Sequence, residues 1–175
     1  MHEELVRTIR SVPNFPKQGI VFRDITTLLK DRSAFQRASD VLYERYKNER
    51  VDKVVSIESR GYILGAVMAY RLNAGFVPIR KPGKLPAETI SETYSLEYGT
   101  DTLEIHTDAI RAGERVLVHD DLLATGGTIQ AACRLVERLG GVILGVSFLI
   151  ELDFLKGRQK LGSRDVFSII RYDKE

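Results

Sequence analysis

Two stretches of this chain repeat one pattern: a short apolar strand, a helix, and a second apolar strand. The first runs from Lys53–Ile57 through a helix over Gly61 to Leu72 and into Phe76–Arg80. The second runs from Arg115–His119 through a helix over Gly126 to Leu139 and into Val142–Ile150. Continuously apolar strands are buried on both faces, and a helical crossover is what lets the next strand run parallel. The pattern predicts an α/β fold with a mostly parallel central sheet flanked by helices. Val166 to Ile170 reads as a last strand. Upstream, Asp31 or Ser33 can cap a helix to about Asn48, with Phe35, Ala38, Val41, Leu42 and Tyr46 on one face. Leu5, Ile9 and Val12 suggest a short N-terminal helix stopped by Pro13 and Pro16, and Ala131, Leu135, Val136 and Leu139 form the stripe of the second crossover helix.

The 175 residues contain no repeat or linker, so one domain spanning 1–175 is expected. A formal net charge of +2 leaves no basic patch, so composition gives no push toward nucleic acid or an anionic membrane. The longest apolar run, about Val142 to Ile150, is far short of the roughly 20 residues that cross a bilayer. Cys133 is the single cysteine, and the start Met1-His2-Glu3-Glu4-Leu5 lacks the features of a signal peptide; both suit the cytoplasm. His2, His106 and His119 have no metal-ligand spacing, so no direct protein–metal site is expected.

The segment between Lys81 and Arg111 breaks the rhythm. Leu103 and Ile105 alternate with Thr102, Glu104 and His106, as in a half-exposed strand. Lys81 to Thr100 is polar and too long for an idle loop, so a flexible lid over about 81–100 is expected.

The chemistry concentrates in Val116 to Thr128. A buried strand leads to Asp120-Asp121, and Ala124-Thr125-Gly126-Gly127-Thr128 then opens a helix. Small residues let several backbone N–H groups approach one phosphate, helped by the positive end of the helix dipole. It is not a P-loop, because the Gly-Lys-Ser/Thr ending is absent. The carboxylates suit sugar hydroxyls or a metal ion; the bland reading is a helix cap beside a solvated neighbour. Ligands of open parallel sheets lie at the carboxyl ends of the strands, where Glu58-Ser59-Arg60 and Arg80-Lys81 would also converge.

The run Val116 to Thr128 resembles the phosphoribosyl-pyrophosphate motif of type I phosphoribosyltransferases. Further segments narrow the resemblance: Phe15-Pro16 through Gly19 to Ile25, Glu58-Ser59-Arg60-Gly61, Ile79 to Pro86, Tyr94 to Gly99, and Leu155-Lys156-Gly157-Arg158. Together they are similar to the adenine phosphoribosyltransferases over nearly the whole chain. The resemblance implies the type I phosphoribosyltransferase fold, with a small N-terminal hood largely within 1–30. It implies a homodimer that joins adenine to 5-phosphoribosyl 1-pyrophosphate (PRPP), giving AMP and pyrophosphate with Mg2+ held mainly by PRPP.

It also implies roles. Ala124, Thr125, Gly126, Gly127 and Thr128 would hold the 5-phosphate, and Asp120 and Asp121 the ribose hydroxyls. Arg60, Lys81 and Lys84 would bind pyrophosphate, and Arg80 would reach a neighbouring subunit's site. Val21 and Arg23 would read adenine through backbone groups, with Leu122 packing against the base. Glu97 would act as general acid or base near the base, and Tyr98 would help close the lid. The Glu58–Ser59 bond resembles one that the family uses in the cis form. His119 departs from the aliphatic ending usual in that strand and reads as a packed, hydrogen-bonded side chain that can tune Asp120. Cys133 reads as core, and His106 as the outer face of a strand. Alternatives are transfer to xanthine, hypoxanthine or orotate, a non-catalytic PRPP-sensing regulator that binds nucleic acid, and a generic nucleotide-binding module.

Overall fold

The N-terminal region forms a small layer of its own before the main sheet begins. In a computed structural model, which describes residues 2–95 and 99–174, helix α1 (Glu3–Val6) leads to strands β1 (Arg10–Pro13) and β2 (Val21–Asp24). The expected N-terminal helix thus stops at Val6, and Val12 belongs to a strand. The reason is tertiary: β1 pairs antiparallel with β2, and Arg10 reaches Asp24 at 2.6 Å. Helices α2 (Thr26–Lys30) and α3 (Arg32–Tyr46) follow. Asp31 caps α3 by accepting the Ala34 N–H at 2.8 Å.

The crossover pattern gives β3 (Lys53–Ile57), α4 (Gly61–Arg71) and β4 (Gly75–Ile79), then β5 (Thr89–Ser95) and β6 (Thr100–His106). It resumes with β7 (Arg115–Leu123), α5 (Gly127–Arg138), β8 (Val142–Leu152) and β9 (Val166–Tyr172). The central sheet has the order β4-β3-β7-β8-β9, and every pairing in it is parallel. One apolar cluster joins Val55, Val77, Val116 and Val118 to α5, Leu103 and Ile105. The other joins Val54, Leu117 and Leu149 to Leu42, Leu64 and Met68 on α3 and α4. The sheet is therefore covered on both faces, as its unbroken apolar strands require.

Two boundaries differ from the sequence reading in ways that matter for the site. Strand β7 runs on through Asp120 and Asp121 to Leu123, because Leu122 and Leu123 pair with Ile150 and Glu151 of a longer β8. The region expected as a flexible lid contains β5, which forms an antiparallel hairpin with β6. Glu92 of β5 is held on α5 by Arg134 at 3.1 Å and Arg138 at 3.2 Å. Leu139, expected in the buried stripe of α5, is only partly buried; Ile129, Ala132 and Cys133 are buried in addition.

Helix α4 approaches β3 closely enough to require glycine. A Cβ built on Gly65 would overlap the Ser56 hydroxyl and lie 2.9 Å from Ser56 Cβ. Helix propensity alone would make Gly65→Ala stabilising by about 1 kcal/mol. The overlap is expected to reverse the sign, giving a loss of about 1–3 kcal/mol in urea unfolding.

Candidate active site

The acid pair meets the start of α4. Asp121, 6% exposed, places Oδ2 2.9 Å from Arg60 Nε. A Cβ on Gly61 would lie 2.7 Å from Asp120 Oδ1, so glycine is what allows this approach. Asp120 Oδ1 also accepts the Asp121 N–H at 2.9 Å. The inside–outside alternation of β7 slips here: Leu122 packs with the cluster of Leu117, and Leu123 with that of Val118. Burial pushes the Asp120 carboxyl well above the usual carboxylate range, and the charge of Asp121 pushes it further. Burial also raises Asp121, while Arg60 opposes the rise. Among the described residues, none donates a hydrogen bond of good geometry to Asp121 Oδ2, although Arg60 is its counter-ion.

A pocket beside the pair is lined by Asp120, Leu122, Ala124, Thr125, Gly126 and Thr128. Gly126 has φ +82°, a left-handed conformation natural to glycine, and it caps α5. This turn faces the pocket at a helix N-terminus, the geometry of an anion site. Thr128 Oγ1 donates to the Tyr94 hydroxyl at 3.2 Å.

The expected cations lie on the loops after β3 and β4. Arg80 is turned onto Glu58 of its own chain at 2.9 Å, and the Lys81 N–H donates to the other Glu58 oxygen at 2.6 Å. Burial would raise Glu58, but these donors hold it below its ordinary value. Lys81 Nζ pairs with Asp101, which also accepts from the Tyr94 hydroxyl at 3.3 Å. Lys84 is exposed, and its carbonyl accepts from Arg80 at 3.2 Å. The Glu58–Ser59 peptide is cis.

The hood strand β2 carries Val21 and Arg23, which pair with Pro13 and Ser11 of β1. Residues two apart on a strand point their N–H and C=O groups to the same edge, so one ligand edge can meet both. The Arg23 guanidinium lies 4.0 Å over the Tyr172 ring and donates to Ser11 Oγ at 2.5 Å. Phe22 sits 5.1 Å from the Arg60 guanidinium, which links the hood to the acid pair. Leu122 is half-buried against the apolar cluster of Val54, Leu117 and Leu149.

His119 is fully buried, with Nδ1 2.9 Å from Ser147 Oγ. Burial pushes the imidazole down to about 4, so it is neutral near pH 7. Cys133 is buried in the core, and His106 is partly exposed on β6. Glu97 and Tyr98 lie outside the described residues.

The sequence reading missed the partners of its own site residues: Glu58, Tyr94 and Asp101. Tyr94 faces Asp101 through the β5–β6 register, so recognising β5 as a strand would have exposed the pair. Among the described residues, no group of three or more His, Cys, Asp or Glu is placed to hold a metal, and no helix is long and apolar enough to cross a membrane.

The sequence profile of the phosphoribosyl transferase domain matches residues 24–170. An adenine phosphoribosyltransferase of Geobacter metallireducens is 61% identical over 170 residues, covering 97% of this chain and 99% of that protein. The crystal structure of adenine phosphoribosyltransferase from Thermoanaerobacter pseudethanolicus superposes with a TM-score of 0.94 at 54% identity, covering 97% of this chain and 99% of that one. The Saccharomyces cerevisiae enzyme, complexed with an imino-altritol bisphosphate and adenine, has a TM-score of 0.89 at 44% identity, covering 95% and 96%. Matched over nearly its whole length in sequence and in fold, this protein belongs to the phosphoribosyltransferase family, in its adenine phosphoribosyltransferase branch.

Proposed function

We propose that this chain transfers the phosphoribosyl group of PRPP to N9 of adenine, giving AMP and pyrophosphate in purine salvage. The observation that carries this reading is the gathering of a phosphate-type turn, an acid pair and Arg60, Arg80 and Lys81 at the carboxyl ends of β3, β4 and β7. Adenine bound in the yeast relative supports the base, as does the backbone edge offered by Val21 and Arg23.

The turn Ala124–Thr128 holds the 5-phosphate through N–H groups and the Thr125 and Thr128 hydroxyls. Asp120 and Asp121 accept from the ribose 2- and 3-hydroxyls. Their charge stabilises the cationic sugar as the bond from C1 to pyrophosphate breaks. The place of the pair beside the turn, at the mouth of the same pocket, supports this assignment. N9 of adenine then bonds to C1 and gives up its proton, with Glu97 as the acceptor. Arg60, Lys81 and Lys84 receive the departing pyrophosphate, for which Lys81 exchanges Asp101. Leu122 packs on the base, and Tyr98 closes with the 81–100 lid. Mg2+ held on PRPP would supply charge neutralisation for the leaving group, and Asp120 and Asp121 are the carboxylates that would stabilise it without being its direct ligands.

A homodimer completes this reading, with Arg80 serving the neighbouring site. Supporting it, Tyr70 on α4 is 87% exposed, with Ile63 and Phe76 exposed nearby and β4 at the sheet edge. The buried Cys133 suits a reducing cytoplasm.

Incubation with PRPP, Mg2+ and a panel of bases is expected to convert adenine to AMP. Hypoxanthine should be slower by roughly 10²-fold or more, because a 6-oxo base leaves polar groups unpaired. A preference for hypoxanthine, xanthine or orotate would refute the base assignment. Specific activity should fall on dilution as dimers dissociate in sedimentation; full activity in the monomer would remove the role of Arg80.

The raised Asp120 carboxyl sets a pH signature. A carboxyl raised by folding favours the folded state at low pH, and that advantage is lost as pH rises through its folded value. Asp120→Asn removes the charge and keeps the acceptor for the Asp121 N–H. Its Tm should exceed that of the parent by more at pH 8 than at pH 5, while kcat falls roughly 10²-fold. Equal Tm differences at both pH values would contradict the assignment.

A further inference from the structure

The segment Leu155-Lys156-Gly157-Arg158 has no part in the mechanism above, yet it lies directly behind the phosphate turn. A Cβ on Gly157 would overlap the Ala124 carbonyl oxygen and come within 3.0 Å of the Gly126 nitrogen. A Cβ on Gly126 would in turn overlap the Gly157 carbonyl and lie 3.2 Å from its Cα. The two backbones touch with no side chain between them. Gly157 is thus the surface on which the turn rests.

What fixes Gly157 is an ion pair between a buried carboxylate and a half-buried arginine. Glu151, 1% exposed near the end of β8, accepts from Arg158 Nε at 2.9 Å and Nη2 at 2.6 Å. Its Oε2 also accepts from Ser168 Oγ at 2.6 Å, and Arg171 Nε lies 3.8 Å away. Burial would raise this carboxyl, but Arg158 and Ser168 hold it below its ordinary value. Arg158 Nη1 donates to the Val166 carbonyl at 2.8 Å, tying the segment to β9 as well. Two further contacts close the structure: Gln130 of α5 donates to the Lys160 carbonyl at 3.0 Å, and Leu161 is buried in the core. The bidentate guanidinium–carboxylate geometry fixes direction as well as distance.

We propose that Gly157 and the Glu151–Arg158 pair are positioning residues for the phosphate turn, clamping the Asp153–Leu161 segment behind it and setting affinity for the sugar phosphate without touching it. An anion-binding turn works only if its N–H groups are already aimed, and a rigid support behind it removes the alternative conformations. The proposal rests on the phosphoribosyl reading of the site.

The test compares Gly157→Ala, Arg158→Gln and Arg158→Lys with the parent protein. Calorimetry gives the Kd for ribose 5-phosphate, steady-state rates give KM for PRPP and for adenine, and urea midpoints report folding. Gly157→Ala and Arg158→Gln should raise the ribose 5-phosphate Kd and the PRPP KM on the order of 10–100-fold while the adenine KM stays within about twofold, with Arg158→Lys between Arg158→Gln and the parent. Should Gly157→Ala not fold, the two Arg158 variants carry the comparison. Unchanged ribose 5-phosphate affinity in folded variants overturns the clamp, as does an equal loss for both substrates. Parent protein that binds ribose 5-phosphate but transfers nothing to adenine overturns the function and leaves the clamp to stand on the binding data. Parent protein that binds no sugar phosphate overturns both.

Discussion

The Arg60 guanidinium lies between a buried carboxylate and an aromatic ring, and the ligand end of the molecule is organised around it. It contacts Asp121 on β7 at 2.9 Å and faces Phe22 on the hood at 5.1 Å. Without it, Asp121 would be a buried charge with no counter-ion, which is costly in a low-dielectric setting. Arg60 also begins α4, whose close seat on β3 depends on Gly65 and whose approach to Asp120 depends on Gly61. One ion pair thus ties together the end of the central strand, the start of its neighbouring helix and the strand proposed to read the base.

The same region shows how burial tunes charge in opposite directions. It pushes Asp120 up and His119 down, because in each case the charged form loses its water. The effects on stability oppose one another. The depressed His119 withdraws stability as pH falls from the ordinary histidine range toward about 4. The raised Asp120 withdraws it as pH rises.

Much of the frame was legible because it depends on local pattern. The strands over Lys53–Ile57 and Val142 onward, the Asp31 cap and the turn at Gly126 follow from apolar runs and short-range chemistry. Of the hairpin, β6 was legible in its alternation and β5 was not. β5 reads Thr-Ile-Ser-Glu-Thr-Tyr-Ser, a strand without an apolar run, and its anchoring to α5 through Glu92 and Arg134 lies far along the chain. The extension of β7 through Asp120 and Asp121 was hidden for a similar reason. Two adjacent carboxylates look like the end of a strand until β8 is seen to pair beyond them.

By itself, the sequence determined the α/β class, the parallel crossovers and the place of the phosphate-type turn, since apolar periodicity and glycine positions act over a few residues. Its motifs also pointed to the family that the comparisons established. The tertiary structure alone decided which charges meet: Arg60 with Asp121, Lys81 with Asp101, Arg80 with Glu58, and Arg158 with Glu151. It also decided that Gly157 would back the turn at Gly126. Ion pairs and close backbone contacts between distant segments leave no periodic trace in a chain, because their geometry exists only once the strands that carry them have been placed side by side.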